Sequence, residues 1–145
     1  MRAGFAMVMA IASTGACSKA AAPAASDAWV RLAAVPGRPA AAYFTLHGGA
    51  GAATLAQVSA PGVARIELHE SRMTGNGMMA MNALADVPVP AGATVKFAPA
   101  GNHAMLFGVP ADVKPGGTLV LTFRFSDGTA VQAPAKVFGA GEAGL

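Results

Sequence analysis

Apolar and polar residues alternate along much of this chain. Leu119, Leu121, Phe123 and Phe125 take every second position, and Thr122, Arg124 and Ser126 take the others, the period of a strand with one buried face. Val63 to His69 and Val95 to Ala98 read the same way. The apolar runs are short and are punctuated by turn formers, among them Pro36-Gly37, Gly48-Gly49, Pro61-Gly62, Gly75-Asn76-Gly77, Pro115-Gly116-Gly117 and Asp127-Gly128. No stretch carries a convincing helical period. The pattern predicts an all-β chain, an antiparallel β-sandwich of about seven to nine short strands. With 145 residues there is enough chain for one core but not for two comfortable ones, and no internal repeat is visible.

The N-terminal segment breaks this pattern. Arg2 supplies a positive start, and Phe5 to Ala12 forms an apolar run too short to span a bilayer. Thr14, Gly15 and Ala16 then lead into Cys17, the one cysteine of the chain. Residues 1–16 read as a signal peptide, and the small residues before Cys17 resemble a bacterial lipobox. On that reading Cys17 is lipidated and is the first mature residue. The usual pattern has Leu where Thr14 stands, so ordinary signal-peptide cleavage is the alternative. Either route leads out of the cytoplasm into an oxidising compartment such as the periplasm. Residues 17–26 are low in complexity and read as a flexible tether, 27–138 as the folded domain and 139–145 as a disordered Gly/Ala-rich tail.

Charge adds an exclusion. The formal charge of +3 comes from basic residues scattered singly, without clustering or aromatic interleaving, and this argues against nucleic acid as a partner.

The candidate chemistry lies in one window. Outside the leader every methionine (Met73, Met78, Met79, Met81 and Met105) falls between positions 73 and 105, with His69 and His103 in or beside the same stretch. Thioethers and imidazoles without a thiol are the donors a soft cation such as Cu(I) prefers. In an extended segment His103 and Met105 share a face, about 7 Å apart at Cα. His69, and Met81 from the neighbouring hairpin, could complete a four-ligand cage. Taken singly, a methionine is more often a core filler than a ligand, and Met73, Met78 and Met79 read as structural or peripheral. His47, beside Gly48-Gly49, reads as an exposed loop histidine. Trp29 and Tyr43 read as core aromatics, Glu70 as solvent-facing and Asp127-Gly128 as a hairpin turn.

Four segments together carry a family resemblance: Asp27-Ala28-Trp29-Val30-Arg31, Glu67-Leu68-His69-Glu70 with the Met/Gly turn and Met81, Val89-Pro90-Ala91-Gly92, and His103-Ala104-Met105-Leu106. From about Asp27 to Val137 the chain resembles the periplasmic PCuAC copper chaperones. The resemblance implies a cupredoxin-like or immunoglobulin-like β-sandwich that binds Cu(I) through a motif of His, ten residues, Met, twenty-one residues, His, any residue, Met. Met81, His103 and Met105 keep that spacing, whereas His69 and Met81 enclose eleven residues. The implied ligands are His69, Met81, His103 and Met105. A longer turn would leave Met81 as ligand; otherwise Met79 or Met78 takes its place. The implied role is a non-enzymatic carrier that passes Cu(I) to copper-accepting partners, with cytochrome oxidase assembly as the setting the family suggests. A blue-copper site fails for want of a suitable cysteine, and three histidines barely supply a copper oxidase. The remaining alternative is a structural or interaction sandwich, a lipoprotein without metal.

Overall fold

The computed structural model describes residues 20–144; the leader and Cys17 lie outside them. The described residues form ten strands: Ala24–Arg31 (β1), Ala40–His47 (β2), Ala53–Ser59 (β3), Arg65–Met73 (β4), Met79–Leu84 (β5), Val87–Val89 (β6), Thr94–Phe97 (β7), Asn102–Phe107 (β8), Thr118–Phe125 (β9) and Ala130–Phe138 (β10). They hydrogen-bond in the order β5-β4-β8-β2-β1-β10-β9-β3-β6, with β7 paired to β2. No helix among them is long and apolar enough to cross a membrane.

The all-β reading holds, with ten strands against the expected seven to nine. The smallest addition is β6, Val-Pro-Val, which the Pro at position 88 made hard to read as a strand. It lies at one end of the strand order, where a residue without an N–H leaves no ladder bond unmade. All the strand pairs are antiparallel except β1 and β10, which run parallel with Trp29 opposite Lys136. Strand β1 also begins at Ala24, three residues before the expected start of the domain, because Ala24 to Ser26 pair with Thr45 to His47. Small side chains suit a tether, but they suit a ladder equally well when a partner strand is present.

The core follows from the period-two pattern. In β9 the buried residues are Leu119, Leu121, Phe123 and Phe125, the set the alternation selects. They join Ala133, Ala135 and Val137 of β10, Leu55 and Val58 of β3, Phe44 and Leu46 of β2, and Leu68, Ala104 and Leu106 of β4 and β8 in one cluster. Phe44 stacks on Phe97 at 4.4 Å and meets Phe123 edge-on at 4.7 Å. The sheet therefore folds over itself, and the inward faces of its two halves share one apolar interior. What this leaves on the outward face of β5, β4 and β8 is the odd-numbered set.

Candidate metal centre

Strand β4 brings the predicted residues together. His69 stands opposite His103 across the β4–β8 ladder, and their rings stack with centroids 5.8 Å apart. Glu67 stands opposite Met105, and on the other side of β4 Ser71 stands opposite Met81. Residues two apart share a face, so Glu67, His69, His103, Met105 and Met81 all project outward, while Leu68, Ala104 and Leu106 enter the core. Met81 and Met105 are both diagonal neighbours of His69, about 7–8 Å away at Cα, on opposite corners. Met79 lies one step further towards the hairpin tip, opposite Met73. Met78 lies in the turn.

The turn decides this face. The Thr74 N–H donates to the Met78 carbonyl at 2.7 Å, so the loop holds three residues, Gly75, Asn76 and Gly77. Gly77 closes it at φ 71°, a conformation that favours glycine. With eleven residues between His69 and Met81, a three-residue loop keeps both on one face. A two-residue Asn-Gly loop would shift the register by one and turn Met81 inward.

Burial is graded across the site. His103 is buried, His69 and Met105 are half-buried, and Met81 is 56% exposed. The histidines hold fixed orientations. A carbonyl only accepts, so the 3.0 Å contact between His103 Nδ1 and the Gly101 oxygen puts the hydrogen on Nδ1 and leaves Nε2 with its lone pair. A carboxylate likewise only accepts, so His69 Nε2 donates to Glu67 Oε2 at 3.2 Å. In the neutral form of the ring, Nδ1 is then the nitrogen with a lone pair. It is the one buried side-chain polar atom among the described residues without a hydrogen-bond partner. Buried polar atoms are normally paired, and an unpaired imidazole lone pair is a donor to which a cation could bind.

Glu67 was not singled out by the sequence. It is also held by Arg65, whose Nε lies 2.7 Å from Oε1 and whose guanidinium sits 4.3 Å over the Phe107 ring. The hydrogen bond from His69 and the charge of Arg65 hold the Glu67 carboxyl below the usual carboxylate range. The readable signal was Glu-x-His on one strand, which puts carboxylate and imidazole on the same face.

Other residues fall elsewhere. His47 ends β2 and its Nε2 hydrogen-bonds Ser26 Oγ at 2.8 Å, so it is half-buried and paired rather than free in a loop. Glu70 faces away from His69, as alternation requires, but it is half-buried and ion-paired to Arg72 at 3.2 Å rather than solvent-facing. Trp29 and Tyr43 are buried, and Asp127 caps its turn by accepting from the Thr129 N–H at 2.8 Å. Among the described residues, no three His, Cys, Asp or Glu side chains converge as a metal site, so any cage here must draw on thioether sulfur.

Comparison with known proteins agrees with this architecture. The apo PCuAC domain of PmoF2 superposes with a TM-score of 0.70 at 16% identity, covering 88% of this chain and 98% of that one, a likeness of fold. The Cu(I) form of DR1885 from Deinococcus radiodurans gives a TM-score of 0.61 at 26% identity, over 86% of this chain and 83% of that one. The expected cupredoxin-like fold is therefore the observed one. A Leifsonia xyli subsp. xyli (strain CTCB07) protein named "Putative lipoprotein Lxx21020" is 38% identical over 121 residues, 81% of this chain and 72% of that one. The family described as "Putative lipoprotein LpqE-like" matches residues 24–137, nearly the whole of the ten-stranded domain, and the chain belongs to this LpqE-like family.

Proposed function

We propose that this protein is an extracytoplasmic copper carrier that holds Cu(I) through His69, His103, Met105 and Met81 and hands it to an acceptor without turnover. The observation that carries the reading is the orphaned Nδ1 of His69, stacked beside His103 on a face that also bears Met105 and Met81. Both rings are pinned through one nitrogen, His69 by Glu67 and His103 by Gly101, and each keeps the other for an ion. All four donors bind as neutral groups, so bound Cu(I) keeps its single charge. Thioethers reject hard divalent ions and cannot form disulfides in an oxidising compartment. Further support comes from DR1885, a neighbour solved with Cu(I), and from PmoF2, whose PCuAC domain is known copper-bound.

Transfer follows from the burial gradient. His103 is shielded, and Met81 on the edge strand is open, so an incoming soft ligand displaces Met81 first and takes the ion by stepwise exchange. Acceptors of this kind include copper-centre assembly factors such as those of cytochrome c oxidase. The lipoprotein names of the family and the Leifsonia relative support export and an anchor at Cys17.

The test is anaerobic Cu(I) titration of the mature chain against a chromogenic chelator. One tight equivalent that His103→Ala and Met105→Ala each weaken at least tenfold supports the carrier. Absence of tight binding, or indifference to both substitutions, leaves the metal-free interaction domain.

A further inference from the structure

The hairpin tip carries a second group of soft donors outside the histidine pair. The Thr74–Met78 hydrogen bond closes the loop, so the next pair inward, Met73 and Met79, is a non-hydrogen-bonded pair. In such a pair the Cα atoms stand about 4.5 Å apart and the side chains are close on one face. Met81 follows on that face, about 7 Å from Met79 at Cα. Met73, Met79 and Met81 are 62, 53 and 56% exposed, on a hairpin whose strand β5 ends the sheet. Met78 is equally open at 66%, but its position belongs to the opposite face.

Three large apolar side chains on an edge hairpin, two of them on its outer strand, are a liability in water, where an edge is ordinarily blunted by charge. Leucine would supply the same hydrophobic area, so what distinguishes methionine here is sulfur. Flexible stems allow the three Sδ atoms to meet over the ladder. No charged side chain shares this stretch of face: Arg72 and Glu70 project from the other side, and the next residue inward is Ser71. The result is an uncharged set of thioethers, selective by softness for a monovalent copper ion.

We propose that Met73, Met79 and Met81 form a second Cu(I) site at the hairpin tip. It shares Met81 with the histidine pair and passes the ion inward by exchange at that sulfur. Binding at the tip stands by itself; the inward step rests on the proposed carrier function. A first ion occupies the histidine site, and a second binds at the tip more weakly because Met81 is then engaged.

The test uses the mature full chain carrying methyl-13C methionine, titrated anaerobically with Cu(I) and followed by NMR. In wild type the second equivalent moves the Met73 and Met79 methyl signals and leaves Met78 in place. The double variant His69→Ala, His103→Ala still shows the Met73 and Met79 response, now at the first equivalent. Met73→Leu with Met79→Leu abolishes the second equivalent and keeps the first, whereas Met78→Leu keeps both. The proposal is overturned if Met73 and Met79 do not respond in the histidine double variant, or if Met78→Leu costs as much as the Met73, Met79 pair. Failure of the carrier reading looks different: the histidine double variant then binds Cu(I) as tightly as wild type.

Discussion

Two patches on the same outward face of the sheet treat apolar side chains in opposite ways. At β1 and β2, Trp29 stands opposite Tyr43 with ring centroids 4.4 Å apart, and Phe138 meets Trp29 edge-on at 5.9 Å. Arg31 donates to the Tyr43 hydroxyl at 3.0 Å, and Gly144 of the tail lies so close to the indole that a Cβ there would overlap it. The aromatic patch is sealed, with Trp29 and Tyr43 both buried. Two strands away, the thioethers of β4 and β5 stay open to solvent. The fold thus has the means to cover apolar groups on this face and uses them at one end only. Open methionines beside a histidine pair, one buried and one half-buried, suit a site that must be reached.

The largest expected effect lies in the sealed patch. Trp29→Ala removes a buried indole together with its stacking on Tyr43 and Phe138, and should cost about 3–5 kcal/mol of unfolding free energy. Met79→Ala, on the open patch, should cost less than about 0.5 kcal/mol. Denaturant unfolding of the two variants measures both. Equal losses would mean that the hairpin methionines are packed rather than poised, and the contrast between the patches would collapse.

Much of this contrast was legible in the sequence, and the rest depended on register. Alternation in Leu119 to Phe125 gave the core face, and the same rule put His103 with Met105. The clustering of methionine marked the window. The side of the sheet that Met79 and Met81 occupy could not be read, because Gly75-Asn76-Gly77 admits a two-residue or a three-residue loop and the choice inverts the whole strand. Glu67 was hidden for a related reason: its link to His69 matters only once both are known to share an outward face. The β1–β10 parallel pair joins strands from opposite ends of the chain, and no local pattern encodes that pairing.

The carboxylate offers a finer test of the open patch. Glu67→Gln removes the charged acceptor that fixes the His69 tautomer but keeps the shape of the side chain. Outer-shell partners of this type typically change metal affinity by about 10–100-fold, and a loss near the lower end is expected, since Glu67 is half exposed to water. Nitrogen-15 NMR of the imidazoles should show His69 shifting from a single Nε2–H form to a mixture while His103, held by Gly101, stays unchanged. A loss of affinity without that tautomer change would make Glu67 a general electrostatic contributor rather than a positioning residue.

The smallest effect on stability, and the sharpest in selectivity, is expected from oxidation. Dilute peroxide converts exposed thioethers to sulfoxides, and susceptibility follows exposure. Met73, Met78, Met79 and Met81 should react first, and half-buried Met105 later. Peptide mass mapping gives the order. Because the first four contribute little packing, their oxidation should shift the unfolding free energy by less than about 0.5 kcal/mol. Loading with Ag(I), a soft monovalent stand-in for Cu(I) that peroxide does not oxidise, adds a second contrast: the ion bound through sulfur engages the lone pair that peroxide attacks. One equivalent should protect Met81 and Met105 and spare neither Met73 nor Met78. A second equivalent should extend protection to Met73 and Met79, leaving Met78 to react at its original rate. Uniform protection of all five would point to a general shielding of the hairpin, and no protection would mean that the thioethers do not hold the ion at all.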